Sequence, residues 1–195
     1  MAKIKLTKNE LKTQRDALAR FNRYLPTLQL KKQQLQMEMR RLDQEIEEKR
    51  DEEQEARAKL SSWIQLYSEP VDLGPYAELE TLKTSQGNIA GVNIPVLDDL
   101  VFKTASINLF ESDPWTDDGI AVLKQLTRLR VERQILEEQH RLLGEELRTT
   151  TQRVNLFEKV KIPEAKENIR VIRIFMGDQQ TAAVARSKIA KGKNS

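Results

Sequence analysis

An apolar residue recurs at every seventh position through the first third of the chain, and this repeat restricts the fold more than any other feature. One series comprises Leu11, Leu18, Leu25, Met39, Ile46, Leu60 and Tyr67, and its companion three residues later comprises Phe21, Leu28, Leu35, Leu42, Ala56 and Trp63. Polar residues interrupt the two series at Gln14, Lys32, Lys49 and Glu53. An apolar stripe this narrow must face a partner helix. The pattern therefore predicts an N-terminal coiled-coil helix within residues 1–68, about 90 Å long at the rise of an α-helix.

A second helical tract occupies the last third of the chain. It opens at the sequence TDDG, where Thr116 or Asp117 can cap a helix. Its apolar positions are Ile120, Leu123, Leu126, Leu129, Leu136, Leu143, Leu147, Val154, Phe157, Ala165, Ile169 and Ile172. Steps of seven alternate with steps of four along this series, which predicts a supercoil that is locally straighter than a strict heptad rope. We assign residues 117–195 to a C-terminal coiled-coil helix with a basic tail.

Two prolines lie inside these helical tracts. Pro26 has no backbone N–H to donate, a loss that typically costs about 3 kcal/mol inside a helix, so a kink or local opening is expected between Asn22 and Pro26. Pro163 predicts a second bend. One continuous N-terminal helix remains the expectation.

Residues 69–116 have the composition of a turn-rich insert. Glycines and prolines are frequent there, and apolar residues alternate at Val92, Ile94 and Val96 and again at Ile107 and Leu109. The fold class predicted is therefore all-α dominated: the N- and C-terminal segments form a long antiparallel two-helix coiled coil, and a small mixed insert contains a short β-hairpin at the end opposite the termini. Both chain termini would then lie at the same tip.

Charge is segregated along the chain. Residues 1–34 and residues 148–195 each carry a net charge of +7, and the residues between them carry −11, within a total of +3. No run of about 18 apolar residues occurs, and the N-terminus MAKIKLTKNE has no apolar block of the kind found in signal peptides. We expect a cytoplasmic protein without direct membrane insertion.

Few residues are suited to catalysis or metal binding. The chain has no cysteine and one histidine, His140, which falls on the apolar stripe. The seven glycines form no phosphate-binding loop. Carboxylate pairs such as Glu47 and Asp51 share a helix face, but acid–base chemistry needs a desolvated cleft. Trp63 and Trp115 are expected to pack where helix meets insert. We therefore predict no catalytic site, no cofactor and no metal.

The segment Gly144–Pro163, GEELRTTTQRVNLFEKVKIP, contains a Gly-Glu-Glu, a threonine pair, an Arg-Val-Asn and a Val-x-Ile-Pro in register. These elements resemble the most characteristic segment of the D subunit of the V-type and archaeal A-type rotary ATPases. The matching positions are Gly144, Glu145, Glu146, Thr150, Arg153, Val154, Asn155, Ile162 and Pro163. The stretches LQLKKQQL at 28–35 and IAGVNIPVL at 89–97 extend the resemblance to the first helix and the insert.

The resemblance implies a non-catalytic central rotor shaft. Its terminal helices would enter a hexamer of alternating A and B subunits, the small F subunit would dock on its side, and its far end would seat on a socket subunit above the membrane ring. Rotation would then couple ATP hydrolysis or synthesis to ion flow, in the soluble ATPase sector peripheral to the membrane.

The basic ends suggest how such a shaft would be held. A basic tip can ride inside an acidic sleeve, where long-range attraction centres it. The residues expected at this tip are Lys5, Lys8, Lys12, Arg170, Arg173, Arg186 and Lys188.

Two other functions are compatible with the same pattern. A coiled-coil adaptor or tether would show the same heptads, because they report only that helices pair. A nucleic-acid-binding coiled coil is suggested by the basic ends, although these hold few aromatics to stack bases and the acidic middle would repel phosphate.

Overall fold

The computed structural model describes residues 4–60, 78–103 and 116–193. Its elements are helix α1 (Lys8–Leu60), strands β1 (Leu79–Ile89) and β2 (Val92–Phe102), helix α2 (Thr116–Leu156), a π-helical segment (Phe157–Lys161) and helix α3 (Ile162–Lys193). Of the described residues, 81% are helical, which confirms the predicted fold class. The strand predicted around Ile107 and Leu109, and both tryptophans, lie outside the described residues.

The chain divides into two compact units. We call residues 34–147 the central unit, and residues 1–33 together with 148–195 the terminal unit. The division follows contacts within the chain and differs from the three sequential segments drawn from the sequence, whose boundaries remain a prediction.

In the central unit, α1 and α2 run antiparallel. Asp43 contacts His140 and Lys49 contacts Glu132, so residue numbers rise along one helix as they fall along the other. The predicted stripe faces the partner helix, because a buried cluster joins Leu35 and Leu42 of α1 to Leu143 of α2. Leu35 and Leu143 are fully buried.

The β-hairpin is confirmed, and it packs along the helices of the central unit. Ile94 is buried in the cluster formed with Leu35, Leu42 and Leu143. The amide of Gln139 donates a hydrogen bond of 2.6 Å to the carbonyl oxygen of Pro95. The turn end of the hairpin therefore packs on the sides of the two helices, whereas the sequence predicted the hairpin at the end opposite the termini.

A two-residue turn joins the strands. Ile89 pairs with Val92, and Ala90 and Gly91 between them have φ angles of 51° and 82°. Positive φ at both central residues is the requirement of a type I′ turn, whose twist suits the flanking strands. The Asn88 carboxamide oxygen accepts a hydrogen bond of 3.1 Å from the Gly91 amide, which holds the turn closed.

In the terminal unit, the first part of α1 packs against the C-terminal helices, again antiparallel. The rings of Phe21 and Phe157 lie 5.1 Å apart, and the amide of Asn168 donates to the side-chain oxygen of Gln14 at 3.3 Å. The side chains buried from the C-terminal side are Thr150, Val154, Ile162, Ala165, Ile169 and Ile172.

The two prolines have different effects. Helix α1 is continuous through Pro26, so the local opening expected there does not occur, and a bend at Pro26 remains a prediction. Before Pro163 the helix changes to a π-helical turn, in which the Ile162 amide donates to the Phe157 carbonyl five residues back. The hydrogen bond thus spans five residues, where an α-helix would span four. The π-helical turn lies directly before Pro163, whose missing N–H cannot donate an α-helical hydrogen bond.

Candidate interaction surface

The two units carry opposite net charge. The terminal unit has 20 Lys and Arg against six Asp and Glu, a net +14, whereas the central unit has 13 against 24, a net −11. The boundaries of the units therefore coincide with the charge segregation seen in the sequence. Net charge of one sign on one compact unit is a feature that attracts an oppositely charged partner.

The two units also differ in how many of their cations lie beside a carboxylate. In the central unit, at least nine of the 13 Lys and Arg side chains lie within ion-pairing distance of a carboxylate: Arg41, Lys49, Arg50, Arg57, Lys83, Lys103, Arg128, Arg133 and Arg141. In the terminal unit, Lys161 and Arg170 each pair with a glutamate one turn away, at 3.2 and 2.6 Å. Within the described part of the chain, Arg15, Lys166 and Arg173 have no such carboxylate.

The predicted basic tip lies entirely in the terminal unit, and all of its side chains are exposed: Lys5, Lys8, Lys12, Arg170, Arg173, Arg186 and Lys188. Lys8 and Phe175 line one groove, so the start of α1 lies beside α3. Arg170 differs from Arg173 because it donates to both oxygens of Glu167. These hydrogen bonds raise the pKa of Arg170 and lower that of Glu167.

Helix α3 continues well past Ile172, the last of its buried side chains. Every residue from 177 to 193 is exposed, including Val184 at 55% and Ile189 at 63%. An isolated helix of this length is marginal in water without a packed face. The segment is thus suited to gain contacts from a partner.

The residues of the family motif fall into two groups. Thr150, Val154 and Ile162 are buried in the terminal unit, where they pack the helix pair. Exposed motif positions are Glu145, Arg153, Asn155 and Pro163, while Gly144 and Glu146 are partly buried in the central unit. The motif therefore combines packing positions with positions that face outward.

Sequence reasoning missed Arg15 and Lys166 as members of the basic surface. Both line a groove of about 470 Å³ between α1 and α3, together with Asn22 and Arg173. Their signal was present in the heptads, since both residues directly follow positions that face the partner helix, Gln14 and Ala165. Charged residues that flank a coiled-coil seam set its choice of partner.

In the central unit, charged side chains connect the helices to each other. Glu53 is 7% exposed, and its two carboxylate oxygens accept hydrogen bonds from Arg57 at 2.5 Å and from Arg133 at 3.2 Å. Lys49 of α1 likewise contacts Glu132 of α2 at 3.1 Å. Each of the two cations also bonds within its own helix: the hydrogen bond to Glu137 raises the pKa of Arg133, and the hydrogen bond to Glu52 raises the pKa of Lys49. Such paired charges hold helices in register.

Metal sites and membrane spans are not found in the described residues. In residues 4–60, 78–103 and 116–193, no group of three or more His, Asp or Glu side chains is arranged to hold a metal ion. Of the helices described, none has a stretch that is both long and apolar enough to cross a membrane.

Comparison with known proteins points to one family. The family model for the D subunit of ATP synthase matches residues 10–192. The D subunit of the V-type ATP synthase from Borreliella burgdorferi is 49% identical over 191 residues, covering 98% of this chain and 95% of the relative. The corresponding D subunit from Chlamydia caviae is 34% identical over 195 residues, covering 98% and 94%.

Proposed function

Because this chain belongs to the D-subunit family of ATP synthases, we propose that it is the non-catalytic central rotor shaft of a V-type or A-type ATP synthase. In this role it transmits torque between the hexamer of A and B subunits and the membrane ring that moves ions. The observation that carries the proposal is the contrast between its two units. One unit is a helix pair with a net charge of +14, and the other is a helix pair joined by ion pairs.

A shaft has to resist twisting, and the central unit has the contacts for it. Four side-chain pairs cross from α1 to α2: Lys49–Glu132, Arg50–Glu137, Glu53–Arg133 and Asp43–His140. Buried Leu35 and Leu143 interlock beside them. Because neither helix can slide without breaking several of these contacts, rotation applied to one helix is passed to the other.

The terminal unit is the part that we assign to the A and B hexamer. Its net charge of +14 attracts an acidic inner wall over a distance of about 8 Å at physiological salt. The tip cations Lys5, Lys8 and Lys12 and the exposed end of α3 would run inside this wall. Long-range attraction of this kind holds the shaft inside the hexamer while it turns.

We assign the central unit to the two remaining partners of the shaft, the F subunit and the socket subunit. Its helices would bind the F subunit on their side, and its far end would seat on the socket subunit above the membrane ring. The chain would thus lie in the cytoplasmic, peripheral sector of the complex and touch the membrane only through its partners.

Affinity purification of the chain from native membranes tests its membership of the complex. The proposal expects two large ATPase subunits in stoichiometric amounts together with a small one. Recovery of nucleic acid or of unrelated cytoskeletal proteins in their place would contradict it.

The electrostatic part of the proposal has its own test. Replacing Lys5, Lys8, Lys12, Arg170 and Arg173 by glutamine should weaken assembly with the hexamer and reduce ATP-driven rotation, because the net charge of the terminal unit falls by five. The matched control replaces five exposed cations of the central unit, Arg40, Arg41, Arg57, Lys83 and Lys103. Equal assembly and rotation of both variants would refute the role of the basic tip.

A further inference from the structure

The two sides of the helix pair in the terminal unit differ in charge. On one side, a groove contains Lys161 and Glu164, which neutralise each other at 3.2 Å. On the opposite side lies the groove of about 470 Å³, and its lining includes no carboxylate. Arg15, Lys166 and Arg173 form its rim, and none of them has a carboxylate partner in the described part of the chain. We call this second groove the basic groove.

Each helix contributes to the basic groove with the same spacing. Arg15, Leu18 and Asn22 follow one another at three and four residues on α1, and Lys166, Ile169 and Arg173 do so on α3. Residues with these steps share one face of a helix. Seven residues of helix rise about 10 Å, so the polar groups stand at the two ends of the groove and an apolar residue lies between them.

The floor of the basic groove is apolar. Ile169 is 8% exposed and Leu18 is partly buried, so both have contact surface left for a ligand. Ala19 leaves room beside them because its side chain is a single methyl group. A ligand that fits must therefore combine negative charges about 10 Å apart with an apolar group between them.

We propose that the basic groove is a docking site for an acidic peptide segment of the surrounding hexamer, with an apolar residue between its carboxylates. The site rests on the proposed function, since it requires that the terminal unit lies inside the hexamer. Arg15 and Arg173 bind carboxylates through two parallel N–H groups, and Lys166 adds a point charge. The apolar residue of the segment covers Leu18 and Ile169.

The lining favours a peptide over a nucleic acid. None of the seven residues that line the basic groove is aromatic, whereas single strands are held largely by stacking of bases on aromatic side chains. An apolar floor has no counterpart in a phosphate backbone. The acidic segment also gives the shaft a preferred orientation, which the diffuse charge of the whole unit does not.

The test compares two variants of equal charge in the complex with the A and B hexamer. The groove variant replaces Arg15, Lys166 and Arg173 by glutamine. The control variant replaces Arg20, Arg23 and Lys159, which are exposed cations of the same unit outside the groove, by glutamine. The dissociation constant of each variant for the A and B hexamer is measured at two salt concentrations. Thermal melting checks that both variants remain folded. The groove variant should bind about tenfold more weakly than the control variant.

A third variant separates shape from charge. Ala19→Phe keeps every cation and fills the groove, so it should also weaken binding about tenfold. If the groove and control variants lose equal affinity for the hexamer, only net charge matters. That result would overturn the docking site in the basic groove and leave the shaft function intact. Loss of duplex DNA binding without loss of hexamer binding would overturn it in favour of a nucleic-acid site. Failure of the unaltered chain to bind the hexamer would instead refute the proposed function itself.

Discussion

Replacing Glu53 by glutamine removes one negative charge from the interior of the central unit and keeps the shape of the side chain. Glu53 is 7% exposed and joins α1 to α2 through Arg133, whose side chain is 21% exposed. Its second partner, Arg57, is 65% exposed, and an exposed pair is worth little. The cross-helix contact therefore accounts for most of the effect.

The magnitude follows from these exposures. A hydrogen bond between charged groups contributes about 1.5–3 kcal/mol when shielded, and Arg133 keeps Glu137 as a second partner at 2.6 Å. We therefore expect Glu53→Gln to lower the free energy of unfolding by about 1–2 kcal/mol. For a chain of this size that corresponds to a fall in Tm of about 2–8 °C.

Circular dichroism during thermal and urea unfolding measures the change, and Glu45→Gln is the matched control. Glu45 pairs within its own helix with Arg41 at 2.8 Å, and the Arg41 side chain is 70% exposed, so replacement of Glu45 should change the free energy of unfolding by less than about 0.5 kcal/mol. The double variant Glu53→Leu/Arg133→Leu should be at least as stable as the parent, because it replaces the ion pair by an apolar contact. If Glu53→Gln and Glu45→Gln melt together, the carboxylate of Glu53 does not hold the two helices, and the reasoning fails.

Three further substitutions have expected effects on stability, each measured by thermal melting. Gly87→Ala should destabilise by about 1 kcal/mol, because its new Cβ would lie 2.8 Å from Val96, and a compensating Val96→Ala should restore most of the loss; an unchanged Tm would contradict the close contact. Ala90→Gly should stabilise slightly, by about 0.5 kcal/mol, since φ is 51° there; a lower Tm would argue against the type I′ turn. Gly144→Ala should stabilise by about 0.5–1 kcal/mol, because the nearest atom is the flexible Met39 methyl at 3.8 Å; destabilisation would show that the glycine is required for packing.

The heptad pattern predicted the inward side of α1 correctly, including three of the polar positions that interrupt it. Gln14, Lys49 and Glu53 are polar residues on the stripe, and the structure places each of them facing the other helix. Their partners Asn168, Glu132 and Arg133 are far away in the sequence. Periodicity identifies a face of a helix, but it does not identify which distant side chain will meet that face.

The hairpin was only partly predictable. The alternation at Val92, Ile94 and Val96 identified β2, because side chains of a strand alternate between its two faces and Ile94 is buried against the helices. Strand β1 is exposed over most of its length, so it carries no alternating apolar signal. The place of the hairpin against Leu35 and Leu143 depends on contacts between separate elements, which no local pattern encodes.

In the C-terminal helical tract, the spacing of apolar residues indicated that the helical repeat departs from seven, but it did not show what form the departure takes. The mixed steps of seven and four predicted a straighter supercoil, and the structure adds a π-helical turn over Phe157–Lys161. Pro163 explains where the turn lies, since its missing N–H weakens the α-helical hydrogen bonds at that point.

Paired helices with basic ends and an acidic middle follow from the order of the residues alone, because helical period and local net charge are both properties of that order. Which cations stay available to a partner depends instead on the folded arrangement. Arg170 and Arg173 are three residues apart, yet Arg170 is neutralised by Glu167 whereas Arg173 lines the basic groove. The difference arises because pairing of charges depends on the distances between side chains of folded helices, which composition does not contain.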